Sequence, residues 1–266
     1  MDTTSTPGEG LTTNEKDGAR PAAAGSQFDK LAGVYDGESM AQWPFRRELE
    51  VPSVLHRLGD VSGLDVIDFG CGPGFYARQL KARGGGRVVG YDESEGMLRH
   101  ARDREETERR GIEFTSELSS SLQGQFDVVL SVYVLPYANT RDALRAMCVS
   151  MAGLLRPGGR LLTLQLHPRY ESEPDYYHSC GFSLTSEAHH VDGSAVRLGL
   201  LKDEAMVTGW YWSAATLNAT LRAAGFEALH WYDLWPPGLA CLEDAPEALR
   251  PYLRRPHAVM IDCQKE

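Results

Sequence analysis

Residues 67–74 read IDFGCGPG, and residues 88–92 read VVGYD. An apolar run breaks into a loop holding Gly70, Gly72 and Gly74, and a second apolar run ends on Asp92. Few folds use such a pairing. Closely spaced glycines let the chain turn sharply and let a ligand lie against the backbone. A strand that feeds such a loop into a helix sets it beyond the strand's carboxyl end, where open α/β sheets hold their ligands.

The spacing narrows the ligand. A dinucleotide fingerprint, G-x-G-x-x-G, would need its last glycine where Phe75 stands, and no GK[ST] follows to make a phosphate-binding P-loop. Asp68, inside the motif D-x-G-x-G-x-G, would repel a pyrophosphate but suits a ligand ammonium group. Asp92, about 20 residues on, is placed to accept ribose hydroxyls.

Around this motif, apolar runs alternate with helical patterns. Strands are predicted over 64–70, 87–92, 112–116, 126–135 and 160–167, with final strands over 226–235 and 257–263. Helices are predicted over 75–84, 94–111, 142–159 and 213–226. This order implies an α/β fold: a Rossmann-like, mostly parallel seven-stranded sheet with helices on both faces. Residues 1–25, rich in Thr, Gly, Ala and Pro, read as a flexible leader, and 26–266 as one domain opening with a helical region over 26–60. The segment 168–212 is longer than a simple connection needs and is expected to be an inserted substrate cap, with an antiparallel pair over 195–201 and 205–212.

Composition excludes several classes. The chain has 266 residues, 42% of them hydrophobic, and a net charge of -10. Such a charge gives little bulk attraction for nucleic acid or anionic membrane. No apolar run approaches a spanning helix, and the N-terminus lacks a signal pattern, so a cytoplasmic protein is expected. The five cysteines are scattered without a CxxC pair, which argues against structural zinc and a disulfide framework. No metal is expected.

These features resemble the class I S-adenosylmethionine-dependent methyltransferases. IDFGCGPG is similar to their glycine-rich first motif, VVGYDESEGML to the next strand and its acidic residue, and FDVVLSVYVL and LLRPGGRLL to later core motifs. The resemblance implies S-adenosylmethionine as cofactor and S-adenosylhomocysteine as product. It implies that Gly70, Gly72 and Gly74 approach the methionine and sugar portions, that Asp92 binds the ribose, and that Glu93 and Met97 lie near ribose or adenine. Asp68 joins them through the ammonium group. Met97 alone reads equally well as a core residue, and Glu117 and Leu118 compete for the adenine contact after the third strand. Tyr35 resembles the aromatic residue that covers the cofactor's amino-acid end.

An acceptor should enter opposite the glycine loop, beneath the cap. Tyr133 and Tyr137 leave the fourth strand, His167 leaves the fifth, and the cap adds His178 and Trp210 among many aromatic residues. These form either an aromatic slot for a planar molecule or the cap's own core. His167 is the candidate base or orienting group. YDGESMAQWPFRR and LQLHPRY look like small-molecule methyltransferases of secondary metabolism, the toxoflavin-type enzymes among them, which implies a role such as antibiotic biosynthesis. The expected function is methyl transfer to a nitrogen or oxygen of a small, planar metabolite, by a monomer or homodimer. A non-methylating enzyme using the same cofactor, or a cofactor-binding accessory protein, is the alternative.

Overall fold

The computed structural model describes residues 43–202 and 205–266. The leader, the first part of the N-terminal helical region and Tyr35 lie outside the described residues.

Seven strands form one sheet: β1 (Val66–Phe69), β2 (Val88–Tyr91), β3 (Ile112–Thr115), β4 (Phe126–Val132), β5 (Leu155–Leu166), β9 (Phe226–Asp233) and β10 (Ala258–Lys265). Their order is β3-β2-β1-β4-β5-β10-β9. The first five are parallel, and β10 runs antiparallel between β5 and β9. The four residues of β1, VIDF, are all buried because helices cover both faces. After β1 the chain builds outward to β2 and β3, then returns to lay β4 on the other side of β1. The carboxyl ends of β1 and β4 therefore part at a switch point, and a crevice opens between their loops.

Among the described residues, six α-helices flank the sheets: α1 (Val51–Leu58), α2 (Phe75–Ala82), α3 (Glu95–Glu108), α4 (Arg141–Leu154), α5 (Ala214–Ala223) and the short α6 (Arg250–Arg254). The starts of α3, α4 and α5 are fixed by side-chain caps. Ser94 accepts from the Met97 N–H, Thr140 from Ala143 and Ser213 from Thr216. A π-helical turn, Arg46–Glu50, runs straight into α1, with Pro52 in the first turn.

Between β5 and α5 stands a second, antiparallel sheet of β6 (Phe182–Ser186), β7 (Ala195–Leu200) and β8 (Ala205–Trp210). The pair β7–β8 matches the expected one; β6 was not foreseen. Two further boundaries differ. The helix expected over 142–159 ends at Leu154, and Leu155 already pairs with Phe126, a register shift absorbing the Pro157–Gly159 kink. Strand β4 stops at Val132, before the expected 135, because Tyr133 turns to φ 56°.

Candidate active site

The crevice deepens into one cavity of about 960 Å³ that runs from the glycine loop to the inner face of the cap sheet. Its two ends are built differently.

At the first end, Gly70, Gly72 and Gly74 all have φ between 53° and 79°. At Gly70 the need for glycine is also steric, since a Cβ there would come 2.3 Å from Val134 Cγ2. The glycine loop and the exit of β4 are thus packed onto each other. Gly70 and Gly72 line the cavity. Gly74 does not: it caps α2, and a Cβ there would meet the Phe114 ring at 2.8 Å. Asp92 accepts from the Gly72 N–H at 2.8 Å and from the Ser94 N–H at 2.9 Å, so the tip of β2 and the glycine loop hold each other. Asp68 is buried and accepts from the Ala77 N–H at 2.9 Å, in the first turn of α2. Burial pushes Asp68 up to about 7, with the Ala77 bond opposing and the nearby Asp92 charge adding. Asp68, Asp92, Glu93 and Met97 all line the cavity. After β3, Ser116 and Leu118 line it and Glu117 does not.

At the second end, Tyr133, Tyr137 and Trp210 line the wall, as do Trp43, Arg46, Glu50, Tyr76 and His257. Tyr133 is one of the few non-glycine residues with positive φ, a conformation kept only where surroundings over-determine it. Its hydroxyl lies 3.4 Å from His257 Nε2, and the other ring nitrogen, Nδ1, is 2.9 Å from the Tyr252 hydroxyl. Burial holds His257 down to about 3, with His167 contributing, so the ring is neutral. Glu50, 1% exposed, accepts from Arg46 Nε at 2.8 Å and from the Tyr76 hydroxyl at 3.1 Å. Burial first, then the Glu50 charge, raises the Tyr133 phenol well above its ordinary value.

Two expected acceptor residues lie elsewhere. His167 is buried, yet it is not part of the cavity wall: its Nδ1 accepts from the Arg169 N–H at 2.8 Å and its Nε2 lies 3.2 Å from Asp233 on β9. His178 is exposed beside Asp175, at 3.1 Å, because the turn that carries it buries Tyr177 and Cys180 instead. The cap aromatics divide likewise. Tyr177, Tyr211 and Trp212 are core residues, their polar atoms donating to the carbonyls of Arg255, Pro168 and Ala138. Phe182 packs against Tyr177, Trp43, Phe45 and His257. Of these cap aromatics, only Trp210 faces the cavity.

Arg46, Glu50, Tyr76 and His257 were missed from sequence. A signal existed in PFRRELE, where Glu50 follows Arg46 at the helical i, i+4 spacing of an ion pair. Nothing local marks His257, which reaches the site from the start of β10.

Among the described residues, no helix is long and apolar enough to cross a membrane, and no group of three or more His, Cys, Asp or Glu is placed to hold a metal ion.

Comparisons agree with this geometry. Residues 66–159 match the methyltransferase domain family. The chain is 31% identical over 150 residues to the demethylmenaquinone methyltransferase of Lactococcus lactis, a match spanning 54% of this chain and 56% of that protein. It is 26% identical over 183 residues to the N-demethylindolmycin N-methyltransferase of Streptomyces griseus, covering 65% of this chain and 73% of that one. An S-adenosylmethionine-dependent methyltransferase from Mesorhizobium loti superposes with a TM-score of 0.58 at 23% identity, over 81% of this chain and 97% of that one. The fold of this chain is that of the class I S-adenosylmethionine-dependent methyltransferases, broadly taken.

Proposed function

We propose that this protein transfers a methyl group from S-adenosylmethionine to a nitrogen or oxygen of a small-molecule acceptor. The observation that carries the reading is the single cavity joining the glycine loop and Asp92 to the cap sheet. The residues at the first end fit the cofactor. Gly72 leaves room beside the backbone, Asp68 offers a buried carboxylate for an ammonium group, and Asp92 stands at the tip of β2 for the ribose. Glu93, Met97 and Leu118 border the space left for the base.

When bound, S-adenosylmethionine supplies a sulfonium methyl group open to direct displacement, the sulfur keeping the bonding pair. The chain's own task is alignment and exclusion of water. The cap sheet covers the acceptor end. Tyr133 and His257 orient the nucleophile, and the proton it releases passes to the Glu50 carboxylate, which lines the same end. His167, outside the cavity wall, has no direct part. The name of the Streptomyces griseus relative supports a nitrogen acceptor.

Calorimetry with S-adenosylhomocysteine tests the cofactor site; a folded sample that binds neither it nor S-adenosylmethionine defeats the reading. Incubation of the protein and isotopically labelled cofactor with a metabolite extract then tests the transfer, through a product heavier by one labelled methyl group.

A further inference from the structure

The acceptor end has two unlike walls. One is aliphatic. Leu184 on β6, Val196, Leu198 and Leu200 on β7 and Val207 on β8 all line the cavity. Leu184 pairs with Leu198 and Leu198 with Val207, so these side chains share one face of the cap sheet. The facing wall is polar, but its groups serve one another. Arg46 is matched by Glu50, Tyr76 donates to the same Glu50 oxygen, and Tyr133, His257 and Tyr252 form a line.

The charges of this wall cancel. Arg46 and Glu50 offset each other, and His257 is neutral because it is fully enclosed. A charged acceptor head brought here would lose its water without finding an unpaired opposite charge, and burial of such a charge is strongly opposed. An apolar body gains against the five aliphatic side chains. A single neutral hydroxyl or amino group still finds a partner, since the Tyr133 hydroxyl both donates and accepts and its contact with His257 Nε2, at 3.4 Å, is long, while Nδ1 is held by Tyr252.

We propose that the acceptor is uncharged: an apolar ring system that presents one hydroxyl or amino group to Tyr133 and His257 and lays its body on Leu184, Leu198 and Val207. The proposal narrows the methyl-transfer reading and rests on it for the meaning of the word acceptor. The binding preference itself is a property of the cavity and is measurable apart from turnover.

The probes are 1-naphthol, 1-naphthylmethylammonium and naphthalene-1-sulfonate, which share a ring system and differ in the charge of the head. Each is titrated at neutral pH into the full chain, both saturated with S-adenosylhomocysteine and without it. We expect 1-naphthol to bind at least about tenfold more tightly than either ion, the penalty of a desolvated, unpaired charge. Tyr133→Phe should weaken 1-naphthol by about tenfold through loss of one hydrogen bond at an enclosed site, with S-adenosylhomocysteine affinity unchanged. Leu198→Asn should weaken the naphthalene probes together. Should Leu198→Asn fail to fold, the ranking in the unaltered chain and the Tyr133→Phe result still decide. The proposal is overturned if either ion binds as well as 1-naphthol, if none of the three binds, or if Tyr133→Phe leaves 1-naphthol affinity intact. Absence of S-adenosylhomocysteine binding would defeat the cofactor assignment instead, while the ranking without cofactor would still judge the acceptor class.

Discussion

The two ends of the cavity solve the same problem, holding a small molecule, by opposite means. The end under β1 and β2 is made of backbone and carboxylates: turned glycines, Asp68 in β1 and Asp92 just past β2. Its parts lie within a few dozen residues of one another in the chain. The end under the cap is made of side chains gathered from Trp43 to His257, and its charges are matched internally by Arg46 and Glu50. The first end brings two carboxylates, Asp68 and Asp92, to one wall and suits a ligand bearing positive charge; the second suits a neutral one. In the proposed reading, a sulfonium cofactor and an uncharged acceptor divide the cavity along that line.

The contrast is broken most severely at Glu50. Replacing Glu50 by Ala leaves Arg46 buried without its partner and Tyr76 without its acceptor, and removing one member of a buried pair costs about 3–5 kcal/mol. Chemical denaturation should show that loss, while the molecules that remain folded keep their affinity for S-adenosylhomocysteine. A large fall in cofactor affinity would mean that the two ends are not separable. At the other end, Gly70→Ala combines a positive φ of 77° with a clash against Val134. Backbone strain of this kind costs about 1–3 kcal/mol. Here the expected signature is reversed: moderate loss of stability, seen in thermal unfolding, together with loss of cofactor binding, because the glycine loop must shift. Gly70→Ala with unchanged affinity would show that the loop's shape is not what the ligand reads.

The same contrast explains what the sequence reveals. The sheet and the grouping of residues around the glycine loop were legible because their signals are local. An apolar strand, a glycine motif and an acidic strand tip keep fixed spacing, and Asp68, Gly70, Gly72, Asp92, Glu93 and Met97 come together around one wall. The acceptor end was legible only in part. Tyr133, Tyr137 and Trp210 reach the cavity because they leave strands at its rim. His167 also leaves a strand, but its ring turns toward Asp233 and the Arg169 amide, and rotamer choice leaves no trace in spacing. The cap's tyrosines and tryptophans suggested a slot, yet Tyr176 and Tyr177 bond to the backbone of Pro251 and Arg255, Tyr211 bonds back to Pro168 and Trp212 to Ala138. The aliphatic face that actually lines the cavity depends on β6 pairing with β7, a contact that five residues of mixed character, FSLTS, do not announce.

The gentlest probe of the comparison is pH. Asp68 titrates near 7, against 3.8 for an ordinary aspartate, chiefly because it is buried, with Asp92 opposing its ionisation and the Ala77 N–H, Arg78 and Arg46 favouring it. The folded protein therefore holds this proton more tightly than the unfolded chain does. Asp68 contributes stability that is fully present below about 3.8 and is lost as pH rises to about 7. The carboxylates of Asp127, Asp192 and Asp262, held low by their Arg and hydroxyl partners against the opposing effect of burial, act in the opposite sense and lose stability only as pH falls. Asp68→Asn should isolate the first effect: between pH 5 and 7.5 the unaltered protein loses stability relative to the variant. A cationic ligand at the first end favours the ionised carboxylate. Affinity for S-adenosylhomocysteine, whose amino group is charged throughout this range, should therefore fall as pH drops below 7, by at most about tenfold per pH unit for one linked proton, and the Asn variant should bind more weakly but lose that slope. Binding of 1-naphthol to the neutral end, in the presence of saturating cofactor, should stay flat across the same range. A common pH profile for both ligands would mean that Asp68 acts on the cavity as a whole, through folding, rather than on the cofactor's charge.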